Sequence, residues 1–79
     1  MNKIEQYQQV FVECFGVSLS QLNDSFVYQC VPQWDSVGHM SMVTALEDAF
    51  GITLDTDDII DFNSYAKGIE ILRKYDVTV

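Results

Sequence analysis

The sequence predicts an all-α fold: a four-helix bundle in a single domain over residues 1–79, with a long first loop and a short third helix. Apolar residues recur three and four apart over several stretches, cap and stop residues bracket those stretches, and no segment has the period-two alternation of a defensible strand. No internal repeat or low-complexity segment interrupts the pattern.

The first helix starts at Asn2, which with Glu5 three residues on makes a capping-box pattern, and runs through Ile4, Tyr7, Phe11, Cys14 and Phe15 until Gly16 stops it. From Gly16 to Trp34 the periodicity breaks. Ser18, Ser20, Asn23, Asp24, Ser25 and Pro32 are loop formers, while Val17, Leu19, Leu22, Phe26 and Val31 are apolar anchors that predict a loop packed across the bundle. A loop this long in so small a domain is often functional.

Asp35 caps a second helix expected from Ser36 to Phe50 and closed by Gly51. At 100° per residue, His39, Met42, Val43, Leu46, Ala49 and Phe50 form the core face, and Val37, Met40, Ser41, Thr44, Glu47 and Asp48 the outward face. Ile52-Thr53-Leu54 is a connector. Asp55 or Thr56 caps a brief third helix through Ile59, Ile60 and Phe62, with Asp57 and Asp58 in its first turn. Ser64 caps the fourth, whose Tyr65, Ile69 and Leu72 share a face, with Gly68 permitting close approach and Arg73 and Lys74 suiting its C-terminal end. The tail Asp76-Val77-Thr78-Val79 is expected to fray.

Composition bounds the function. Four Lys and Arg against twelve Asp and Glu give a net charge of −8, which repels phosphate backbones, argues against nucleic acid and favours basic protein surfaces as partners. No stretch is apolar enough to enter a membrane as a span, and Met1-Asn2-Lys3-Ile4-Glu5 turns amphipathic at once instead of opening a signal sequence. The expectation is a cytoplasmic monomer of modest stability, with Cys14 and Cys30 reduced and the Asn23-Asp24-Ser25 sequon unused.

The chemistry concentrates at Trp34-Asp35-Ser36-Val37-Gly38-His39-Met40. With Asp35 as the cap, the Ser36 hydroxyl stands at the positive end of the second helix, where an attached phosphate is favourable. Val37 and Met40 put two apolar side chains beside it on the solvent face, the mark of a docking surface. Other arrangements are weaker. Asp55, Asp57 and Asp61 resemble the start of a calcium loop, but Ile60 stands where glycine is needed and Ala66 where the bidentate glutamate belongs. Ser36 and His39 have nucleophile-and-base spacing with no third group or oxyanion site, so no enzyme is expected. Trp34 reads as a staple over the second helix, and Tyr7, Phe11, Phe15, Phe50, Phe62 and Tyr65 as core. Asp55, Asp57, Asp58 and Asp61 read as a solvated face.

Asp35-Ser36-Val37, followed by an apolar helix through Ala45-Leu46-Glu47 to Phe50, resembles the attachment motif and second helix of acyl carrier proteins, and the order of elements is similar across nearly the whole chain. The resemblance implies that Ser36 receives 4′-phosphopantetheine from coenzyme A through a Mg²⁺-dependent phosphopantetheinyl transferase. The arm's thiol would then carry acyl groups as thioesters to acyl-loading and acyl-using enzymes with basic docking surfaces. Val37, Met40, Thr44, Glu47 and Asp48 would meet those partners, Glu47 and Asp48 by steering. Gly38, His39 and Ser41 stand where carriers of general fatty acid synthesis are often acidic, which points to a free-standing carrier of a specialised pathway such as polyketide or secondary-metabolite biosynthesis. Peptidyl carriers share the fold but usually have a Gly-Gly-His-Ser run where this chain has Trp34-Asp35-Ser36. An aminoacyl or peptidyl carrier, or an unmodified acidic adaptor, is the alternative. In the resembling family the acyl chain slips between the helices; here Met42, Val43, Leu46, Ile59, Phe62 and Ile69 would line that space and leave little void.

Overall fold

Side-chain caps and left-handed glycines delimit the helices. The structure, a computed structural model, describes residues 2–79; Met1, where the segment read as lacking a signal sequence begins, lies outside the described residues. α1 spans Lys3–Phe15, α2 Ser36–Phe50, α3 Thr56–Asp61 and α4 Tyr65–Arg73. Among the described residues there is no strand, only an isolated bridge between Val27 and Ser64, and no helix is long and apolar enough to cross a membrane.

Asn2 accepts the Glu5 N–H at 2.9 Å, Asp35 that of Gly38 at 2.8 Å and Ser64 that of Lys67 at 2.9 Å. Each cap satisfies a donor that helix geometry leaves free and is worth about 1 kcal/mol. Gly16 and Gly51 end α1 and α2 at φ 64°. α3 has Asp55 at its N-cap position, but that side chain makes no capping bond. A helix of six residues does not persist alone, so tertiary bonds hold it.

α1 packs on α2, and the core is aromatic. Phe11 meets Tyr7, Trp34 and Tyr65 edge-on at 5.0, 5.6 and 5.4 Å, and Trp34 stacks on Phe15 at 5.0 Å and Phe26 at 5.4 Å. Tyr7 Oη donates to the Tyr65 carbonyl at 2.6 Å, and burial, helped by neighbouring Tyr65, pushes that phenol far above its ordinary range. It therefore stays a donor. Gly68 is required for this packing: a Cβ there would lie 2.2 Å from both Tyr7 Oη and Phe62 Cζ.

The long loop crosses the bundle as expected. Tyr28 N–H donates to the Asn63 carbonyl at 2.8 Å and Tyr65 N–H to the Phe26 carbonyl at 2.9 Å, tying the loop to the α3–α4 junction. Its buried anchors are Val17 and Phe26; Leu19 opens a 3₁₀ turn, Leu19–Gln21, and is 58% exposed, so it is no anchor. Ala49, expected in the core, is exposed at the edge of the α1–α2 contact, where it shares a groove with Gln6, Gln9 and Glu13. The C-terminal tail does not fray. Asp76 turns left-handed at φ 61°, the Val77 N–H returns to the Leu72 carbonyl at 3.0 Å, and the Val77 side chain is buried.

Candidate functional site at the start of helix α2

Trp34 and His39 occupy the two positions of a hydrophobic staple, the residue before the Asp35 cap and the fourth residue of α2. Their rings stack with centroids 6.3 Å apart, and the Trp34 Nε1–H donates to His39 Nδ1 at 3.0 Å. With Nδ1 accepting, Nε2 carries the hydrogen and donates to the Ile59 carbonyl of α3 at 2.8 Å. His39 thus joins the loop, α2 and α3. Both ring nitrogens are engaged, which leaves none to act as a base on Ser36 in this geometry.

Gly38 is the feature the sequence did not reveal. A Cβ there would lie 1.9 Å from the Gln33 carbonyl oxygen, so the loop can run tight against the first turn of α2 only over a glycine. Glycine at position 38 is therefore a steric requirement. With the loop so placed, Asp35 caps the helix and Ser36 is exposed as its first residue.

Five of the expected site residues share one shallow surface. Ser36, Val37, Met40, Thr44 and Asp48, with Ser41 and Ala45, line an open groove of about 700 Å³. Val37 is 74% and Met40 48% exposed. A second groove of about 280 Å³ opens on the other side of Ser36, between α2 and α3, lined by Tyr28, His39, Met40, Ile59, Ile60, Phe62 and Asn63. Ile60, 71% exposed on α3, extends the apolar surface and was assigned no such place from sequence. Its position on a short helix facing Met40 across a groove has no local sequence signal.

Glu47 is set apart. Its Oε2 accepts the Leu54 N–H at 2.8 Å, so it organises the α2–α3 connector and does not line the groove that holds Asp48. Asp58 also departs from expectation. It is 6% exposed, not part of a solvated face: Lys74 Nζ donates to Oδ1 and Tyr75 Oη to Oδ2 at 2.5 Å, while Tyr75 Oη accepts the Asp55 N–H at 2.9 Å. The bond from Lys74, then that from Tyr75, holds the Asp58 carboxyl below its ordinary range. These bonds and His39 fasten α3 on two sides.

Among the described residues, no group of three or more His, Cys, Asp or Glu side chains is placed to hold a metal ion. Cys14 and Cys30 are free thiols, and partial burial pushes the pKa of Cys14 up. No family model, no curated protein and no solved structure matches the chain.

Proposed function

We propose that this protein is a carrier that holds acyl intermediates on a 4′-phosphopantetheine arm attached to Ser36. The observation that carries the reading is an exposed serine hydroxyl at the first residue of a side-chain-capped, 15-residue helix, flanked by two grooves with apolar walls. The residues suit the group: the phosphodiester would sit where the first-turn N–H groups and helix dipole favour negative charge, and either groove could take the arm's less polar part. When attached, the arm supplies a thiol that holds acyl groups as thioesters.

In the transfer, Ser36 Oγ forms the new phosphorus–oxygen bond as the nucleotide half of coenzyme A leaves. The hydroxyl proton passes to a base of the transferase, because His39 is committed to Trp34 and Ile59. Val37 and Met40 offer apolar contacts to the transferase and later partners. Asp48 and the net charge of −8 favour basic surfaces and speed encounter. Tethering keeps the cargo at high effective concentration near a docked enzyme.

The exposure of Val37, Met40 and Ile60 also suits an adaptor that is never modified, and an aminoacyl or peptidyl carrier would use the same Ser36 with a different cargo. Incubation with coenzyme A and a broad-specificity phosphopantetheinyl transferase separates carrier from adaptor. A carrier gains the mass of one arm, lost in Ser36→Ala; an adaptor gains nothing.

A further inference from the structure

We infer that Phe62 is a wall that keeps cargo out of the bundle interior, so that acyl groups held on the arm seat in the α2–α3 groove outside it. The inference rests on the carrier reading above. Phe62 lines the groove beside Ser36 and is 1% exposed. Behind it there is no slack: its ring stacks on Phe11 at 6.3 Å, and its Cζ lies 2.2 Å from where a Cβ on Gly68 would be. Met42, Leu46 and Leu72 are fully buried around that interior. A closely packed interior admits a chain only if something moves.

The element that would have to move is α3, which is fastened on both flanks. His39 holds the Ile59 carbonyl from α2, and Asp58 receives Lys74 Nζ and Tyr75 Oη from the end of α4. Admitting a long chain would break these bonds and separate Phe62 from Phe11. The groove is ready without any such change. Its volume of about 280 Å³ lies just under the roughly 300–1,000 Å³ of pockets that bury a drug-sized ligand. That suits a short chain, and His39 and Asn63 add polar edges to its apolar floor.

The test loads the arm on Ser36 with butyryl or dodecanoyl groups, confirms loading by intact mass, and follows amide and methyl NMR shifts in wild type, Phe62→Leu and Phe62→Ala. In wild type, both cargoes should shift Met40, Ile59 and Ile60 and leave Tyr7, Phe11, Leu46 and Leu72 in place. In the variants, dodecanoyl should shift the interior set. Interior shifts with dodecanoyl in wild type would overturn the inference, as would their absence from every variant that folds. Benzene, added to unmodified protein, probes the wall without the arm, since an apolar cavity takes it up. It should shift interior signals in Phe62→Leu or Phe62→Ala and not in wild type; uptake by wild type, or by no variant, would overturn the wall. If the wild type accepts no arm, the carrier reading fails while the benzene result still decides whether Phe62 closes the interior.

Discussion

Replacing Gly38 with alanine sets helix propensity against the path of the loop. Glycine inside a helix is about 1 kcal/mol less favourable than alanine, so propensity alone predicts a more stable protein. The structure predicts the reverse. A Cβ at residue 38 would stand 1.9 Å from the Gln33 carbonyl oxygen and 3.1 Å from its carbon, and the obstacle is backbone, not the end of a flexible side chain. Relieving such overpacking costs about 1–3 kcal/mol. Moving the backbone at Gln33 also disturbs the Asp35 cap, worth about 1 kcal/mol, which cancels the gain in propensity. The net loss of about 1–3 kcal/mol should lower Tm by at least about 4–8 °C for a domain of this size. Urea and thermal unfolding of Gly38→Ala beside Ser41→Ala, a control on the exposed face of the same helix, measure it. A Gly38→Ala protein as stable as wild type, or more so, would refute the argument that the loop path requires this glycine.

Asp58→Asn should lower stability at pH 7. The folded carboxyl titrates below its unfolded value of about 3.9, so its contribution is fully present above that value and is lost as pH falls through the folded pKa. The gap between the urea midpoints of wild type and Asp58→Asn should therefore shrink from pH 7 to pH 3; a constant or growing gap would show that Asp58 carries no such bonds. Met40→Ala should slow arm transfer while changing stability by less than about 0.5 kcal/mol, because Met40 is 48% exposed on a helix where alanine is favourable. Raising salt should slow association further by screening the acidic surface. Transfer rates indifferent to both changes would remove Met40 and Asp48 from the docking face.

The boundaries of α1, α2 and α4 were legible because short-range chemistry sets them: Asn2, Asp35 and Ser64 accept the N–H three residues on, and Gly16 and Gly51 take the left-handed conformation. The staple of Trp34 was legible for the same reason, since its partner His39 is only five residues away. What sequence could not supply were facts set by distant chain. Asp58 looks like its exposed neighbours Asp55, Asp57 and Asp61 until Lys74 and Tyr75 are brought to it. Leu19 and Phe26 are both apolar loop residues, and only the bonds of Phe26 and Tyr28 to Tyr65 and Asn63 decide which is anchored. Val77 follows a polar turn and gives no local sign that it folds back onto the core. Helical periodicity places Val37, Met40, Thr44 and Asp48 together on the outward side of α2, where they line one groove, but it gives no sign that α3 sets Ile60 beside Met40 or that Glu47 turns to the Leu54 N–H.

The central claim is that Ser36 accepts a phosphopantetheine arm. The most direct measurement is the intact mass of the purified protein after incubation with coenzyme A, Mg²⁺ and a broad-specificity phosphopantetheinyl transferase, with the modified residue located by peptide mapping and Ser36→Ala treated in parallel. The account predicts a gain of one arm per chain, placed on Ser36 and missing from the variant, whose fold is unchanged by circular dichroism. An unaltered wild-type mass, or an arm mapped to Ser41 or retained by Ser36→Ala, would contradict it.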